Sequence, residues 1–183
     1  MTHRAGIERA VQVLAAVAIA FGILAAAPMA EAFRSAPEAV APADRVALGP
    51  FAEGDLVARL TVSRLAVDAP VFEGVDGHAL SRGAGHIPGT ALPGEEGGTN
   101  HSLVAIPRDS AASGISEIRV GDAVTMRTPF GMRNYRVAER RVVDPRAVVA
   151  RPSRRPRVTL VTPFPADEVG PAPLRLTVVL EQT

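Results

Sequence analysis

Apolar and polar positions follow three different patterns along the chain. Between Val11 and Ala27 the only polar side chain is Gln12, and Arg4 and Arg9 come before it. A run of roughly 17–20 apolar residues lies at the lower limit for crossing a bilayer. The small residues Ala25, Ala27, Ala30 and Ala32 also suit an A-x-A cleavage site. Residues 1–30 therefore read as a signal-anchor or transmembrane helix, with a cleavable signal peptide as the other reading. In both, the two arginines hold the N-terminus on the cytoplasmic side and send the rest of the chain across the membrane. Residues 31–57 carry Pro37, Pro42, Pro50, Gly49 and Gly54 without a helical or strand period, and read as a Pro/Ala-rich linker.

From residue 58 to residue 183 the texture becomes short β-type runs broken by Gly and Pro, and reads as one β domain. Residues 59–63 alternate, 65–67 resume one residue out of phase, and 70–72 come next. Further strands are predicted at 102–106, 123–128, 135–143, 157–162 and 174–180, with Pro129, Phe130 and Gly131 as a hairpin turn. Short helical candidates lie at 79–82 and 113–118. Seven or eight strands with so little helix imply a small barrel or a sandwich. In the last strand Leu174, Leu176, Val178 and Leu180 share one face, which leaves Arg175 pointing away from the core. If Val158, Leu160 and Thr162 line the core, Pro163 sits on the outer wall at a strand end, where a missing N–H is tolerated. Pro163 and Arg175 are then expected to flank one surface groove, with the 164–173 loop above it.

Composition narrows the chemistry. The 20 basic residues, all arginine, balance 19 acidic ones, so no concentrated basic surface argues for nucleic acid. Cysteine and lysine are absent, which excludes a thiolate nucleophile, a Cys-ligated metal and a Schiff-base lysine.

The stretch Leu80–Thr90, then Leu92–Glu95, Arg108–Ser110, Gly121 with Asp122, Tyr135–Val137, Thr159–Thr162 and Leu174 with Arg175 resembles a sortase, most closely the short sortases of Gram-negative bacteria. The resemblance covers about residues 58–181 with the motifs in order. It implies a closed eight-stranded β-barrel with short helices behind an N-terminal membrane anchor. It also implies a cysteine transpeptidase that cuts a sorting signal and joins the acyl fragment to an amine; from the residues themselves, no metal or cofactor is expected.

The sequence departs from the family where its chemistry resides. Sortases carry Thr-Leu-x-Thr-Cys, and here Thr159, Leu160, Val161 and Thr162 are followed by Pro163. They carry Ala-Gly-His-Arg-Asp, and here Ala105, Ile106, Pro107, Arg108 and Asp109 fall on it, after about three extra residues in 97–101. Of the family's catalytic positions only Arg175 matches. Proline offers neither a side-chain heteroatom nor an N–H, so no acyl-enzyme forms there. Loss of the histidine removes proton transfer, a factor of about 10²–10⁴.

The remaining candidates each have a functional and a plain reading. Thr162 is a substitute nucleophile or substrate contact, or an inward-pointing strand residue. His101 is a rerouted base, or a loop histidine created by the local insertion. His86, in the predicted turn Gly83–His86, is a packing or substrate-side residue, and His78 an exposed turn residue. Arg175 meets a peptide carbonyl or carboxylate, or is a solvated or ion-paired strand residue. The four arginines of 151–157 contact anionic lipid or glycan, or form a solvated loop. Asp76, Glu95 and Glu96 offer no regular calcium spacing. The combined expectation is a single-pass inner-membrane protein whose periplasmic sortase-like domain has lost transpeptidase chemistry. It binds sorting-signal peptides or another envelope protein, or is a degenerate paralogue. The alternatives are a transpeptidase or hydrolase with relocated residues and a purely structural envelope protein.

Overall fold

The computed structural model describes residues 51–97, 99–167 and 170–183; the N-terminal apolar segment lies outside them. Its strands are β1 (Leu56–Val62), β2 (Val67–Glu73), β3 (Ala84–His86), β4 (His101–Ala105), β5 (Ala123–Thr128), β6 (Gly131–Val143), β7 (Arg157–Phe164) and β8 (Leu174–Gln182). They close into a barrel in the order β1-β2-β3-β4-β7-β8-β6-β5. β2–β3 and β4–β7 are parallel and the other pairs antiparallel. Closure removes the sheet edges that a set of short strands would otherwise expose. Residues ahead of position 58 already belong to the barrel, since β1 takes Leu56 and Val57, and Phe51 packs against the core.

Local chemistry explains the breaks. The phase slip after Val62 is a 3-10 turn at Ser63–Leu65, closed by Ala66 at φ 52°. Pro129 and Phe130 make the hairpin tip, with Thr128 paired to Gly131 and its hydroxyl accepting from the Phe130 N–H. β6 starts four residues before the predicted strand. It also carries a bulge at Ala138, where the register skips from Val137 to Glu139 and the strand bends locally. The one α-helix among the described residues, the short α1 (Gly77–Arg82), starts where the Asp76 carboxylate accepts from the Ala79 N–H at 2.7 Å. The 113–118 candidate is a 3-10 helix, Ser113–Glu117.

Residues 83–86 correct the sequence reading, which placed His86 in a turn. Ala84–His86 form the whole of β3, which pairs with β2 from Ala84 to His86 and with β4 only at Gly85 and His86. Glycine makes this approach feasible. A Cβ on Gly85 would stand 2.4 Å from the Gly74 carbonyl oxygen, and one on Gly83 2.5 Å from that of Pro70.

Two apolar clusters result. The barrel interior holds Leu60, Val62, Val104, Met126, Tyr135, Val137, Val158, Leu160, Leu176, Val178 and Leu180 among others. The second lies outside the wall, where Val75, Ile87, Leu103, Ala105 and Val161 pack under Leu80, Val148 and Ala150. β4 and β7 are therefore apolar on both faces, as expected of a parallel pair covered on both sides.

Candidate functional site

β7 and β8 set the geometry. Their antiparallel register places Pro163 opposite Arg175 and Thr162 opposite Leu176. On the other side of β7, β4 runs parallel as far as Ala105 opposite Val161. Two more residues at that register bring Pro107 level with Pro163. The Val161 carbonyl accepts from the Ile106 N–H at 2.7 Å, so odd-numbered residues of β7 turn their backbone polar groups toward β4. At Pro163 this direction meets the point where β4 has run out, so the absent N–H breaks no rung. Pro163 and Arg175 thus meet at one rim of the barrel, at the end where β4 stops two residues short of Pro107.

Arg175 lies on the outward face, as the strand phase predicts. It is not solvated, as one reading had it, because the residue is only 5% exposed. Its Nη1 donates to the Ala172 and Leu174 carbonyls, both at 2.9 Å, which ties the start of β8 to the loop before it. Burial, then the neighbouring Arg108 charge, lowers its proton affinity. Arg108 in turn donates to the Gly170 carbonyl. The two guanidiniums therefore sit close together, beside the Gly170 and Ala172 carbonyls.

Thr162 is buried on the inward phase with Val158 and Leu160, facing the core rather than the cleft. His101 opens β4 and is 5% exposed, which corrects the expectation of a loop histidine. Its Nε2 lies 2.8 Å from the hydroxyl of Thr159 on β7, and its Nδ1 faces the backbone N–H and carbonyl of Arg151 at 2.9 and 3.0 Å. Burial holds the imidazole below its ordinary range. Sequence reasoning missed this pair because only the β4–β7 register brings positions 58 residues apart together. A hydroxyl beside an imidazole is a nucleophile–base arrangement. Here, however, Thr159 is only 6% exposed and the pair stands at the start of β7, remote from Pro163 and Arg175.

His86 is 2% exposed, with Nδ1 at 2.6 Å from the Glu73 carboxylate and Nε2 at 3.0 Å from both the Ala91 carbonyl and the Thr90 hydroxyl. Both ring nitrogens are engaged inside the protein. His78 is exposed on α1. Asp76 caps that helix, and Glu95 accepts from the Leu92 N–H at 2.8 Å. Among the described residues no three His, Asp or Glu side chains converge as a metal site.

A family model, the Sortase domain, matches residues 60–183. Sortase D of Bacillus subtilis (strain 168) is 25% identical over 118 residues, 63% of this chain. The chain spans 58% of that relative's length. Among solved structures, sortase C from Clostridium perfringens SM101 superposes with TM-score 0.63 at 26% identity, covering 73% of this chain and 72% of that one. Sortase A from Corynebacterium diphtheriae superposes with TM-score 0.64 at 20% identity, covering 87% and 81%; at that identity the likeness is one of fold.

Proposed function

The chain belongs to the sortase family, and from that premise we propose that it is a non-catalytic member, held in the inner membrane by residues 1–30 with its barrel in the periplasm, that binds sorting-signal peptides or another envelope protein. The observation that carries this reading is Pro163, which stands where the family's cysteine is expected and faces Arg175 across β7 and β8. Acyl transfer needs a nucleophile at that point, and the whole chain contains no thiol. The second family position is Pro107, so a proton donor for a leaving amine is missing as well. What remains at the rim is an arginine, whose planar guanidinium suits a peptide carbonyl or carboxylate. The outer face of β4 and β7 packs under Leu80, Val148 and Ala150, so a peptide lying along it would displace part of that cover.

A second reading, a transpeptidase or hydrolase with relocated residues, draws on the 2.8 Å contact between His101 and Thr159. One experiment separates the two. The purified full chain is incubated with sorting-signal peptides and monitored by intact mass and by calorimetry. Peptide binding with no cleavage and no acylated protein is the expected outcome. An acyl adduct on Thr159, Thr162 or a serine would replace the first reading by the second, and absence of both binding and adduct would reject both. For the topology, a reporter fused after Thr183 should be active only in an exported-protein assay.

A further inference from the structure

We propose that the barrel mouth at which β7 begins, the end opposite Pro163, is a binding site for a phosphate ester bearing hydroxyl groups, of which glycerol phosphate is the simplest form. A cleft of about 380 Å³ opens there, lined by Pro152–Arg157 together with Glu181 and Gln182 at the end of β8. That volume falls in the range of small-molecule sites. Six residue steps along β7, roughly 20 Å, separate it from Pro163.

Charge and unmet hydrogen bonding define the guest. Arg154, Arg155 and Arg157 line the cleft against one carboxylate, Glu181, which holds Arg157 Nη2 at 2.7 Å. Arg154 and Arg155 are exposed. Three guanidiniums against one carboxylate draw in anions, and their planar forks match phosphate. Among the described residues, five buried side-chain atoms lack a hydrogen-bond partner: Ser102 Oγ, Arg133 Nε, Tyr135 Oη, Arg157 Nε and Gln182 Oε1. All five belong to this one mouth. Tyr135 is paired with Gln182, Arg157 with the adjacent Glu181 and Ser102 with Val158, while Arg133 lies two residues before Tyr135 on the same side of β6. Buried polar groups are normally satisfied. Two of these atoms, the Arg157 Nε donor and the Gln182 Oε1 acceptor, belong to residues of the cleft wall and lie just beneath its surface, so a guest that displaces their cover meets them with an oxyanion and a hydroxyl respectively.

The arginine loop is also held in shape. The Asn100 carbonyl accepts from the Arg157 N–H at 2.8 Å, Asn100 Nδ2 donates to the Ser153 carbonyl at 3.1 Å, and the Thr99 carbonyl accepts from the Ser153 N–H at 2.9 Å. His101 Nδ1 meets the Arg151 backbone two residues earlier. Residues 99–101 thus anchor the loop that carries the cations, and a site held this way loses less ordering entropy on binding.

The test is calorimetry on the full chain in a neutral detergent, with glycerol 3-phosphate as ligand and glycerol as the uncharged control. Saturable binding of the phosphate alone is expected. Arg154→Gln with Arg155→Gln should weaken it by at least about ten-fold, as expected for lost charge-assisted contacts, with an unchanged melting temperature because both side chains are exposed. Arg146→Gln, an exposed arginine away from the cleft, should leave it intact. No saturable binding, or the same loss in Arg146→Gln, would overturn the proposal. Hydrogen exchange at residues 151–157 then identifies the source. Protection by vesicles containing phosphatidylglycerol but not by phosphatidylcholine alone assigns a lipid headgroup, and protection by dissolved glycerol 3-phosphate alone assigns a soluble ester. Unchanged exchange with every addition would contradict the site.

Discussion

Pro163 on β7 stands directly across from Arg175 on β8, so a buried guanidinium faces a residue with no side-chain heteroatom and no N–H to offer. Both are buried, and Arg175 turns its Nη1 to the Ala172 and Leu174 carbonyls instead. The arginine has kept its place in the barrel and taken a hydrogen-bonding role in the loop.

That arrangement predicts that Pro163→Cys combined with Pro107→His will not restore full transpeptidation. The new side chains would enter a rim shaped around two fixed φ angles near −65° and an arginine already bonded elsewhere, and a misplacement of ~1 Å costs about 10²-fold. Turnover of a sorting-signal peptide measures it. Robust activity in the double variant would show that the rim is still preorganised.

Arg175→Ala should weaken binding of a sorting-signal peptide by about ten- to a hundred-fold, the equivalent of one charge-assisted contact of roughly 1.5–3 kcal/mol. Calorimetry on wild type and variant reads this directly. Equal affinity in the two would remove Arg175 from the binding surface and assign it to holding the loop before β8.

His101 gives a pH dependence. Burial lowers its proton affinity, the Arg151 backbone bond opposes this, and the Arg157 charge lowers it further. The unfolded chain therefore takes up a proton at a higher pH than the folded one. The stability linked to this group is full above about pH 6.5 and is lost as the pH falls from there toward the folded value. Urea unfolding between pH 7.5 and 5 should show this decline, and His101→Gln should flatten it. An unchanged profile in the variant would mean that another group carries the dependence.

Gly85→Ala should destabilise the barrel by about 1–3 kcal/mol or more, since the added methyl would sit 2.4 Å from the Gly74 carbonyl oxygen and 3.0 Å from Leu80 Cδ2. The urea midpoint should fall with an unchanged m-value. A midpoint equal to wild type would show that β2 and β3 can separate at no cost.

Strands β4 to β8 were legible because each carries a run of apolar or alternating residues long enough to show its period, and the phase of 174–180 correctly sent Arg175 outward. β3 was not, because three residues with glycine on either side of Ala84 carry no period and resemble a turn. The pairing of Pro163 with Arg175 agrees with the outward phase that strand alternation gives both residues. By contrast, the contact between His101 and Thr159 depends on the parallel register of β4 and β7, and nothing local marks it. The grouping of Ser102, Arg133, Tyr135, Arg157 and Gln182 is likewise visible only once four separate strands are laid side by side.

The brevity of β3 makes the barrel mechanically uneven around its circumference. A closed sheet is only as continuous as its weakest seam, and β3 shares just the Gly85 and His86 rungs with β4, continued past the strand by the Ile87 and Ala91 N–H groups on the Leu103 and His101 carbonyls. The buried imidazole of His86 reaches Glu73 on β2 and Thr90 and Ala91 beyond β3, acting as a clip where the backbone ladder is thinnest. The hoop should therefore part between β3 and β4 before it parts anywhere along the long β6–β8 and β7–β8 joints, turning the closed ring into an open, curled sheet while the other strands stay zipped.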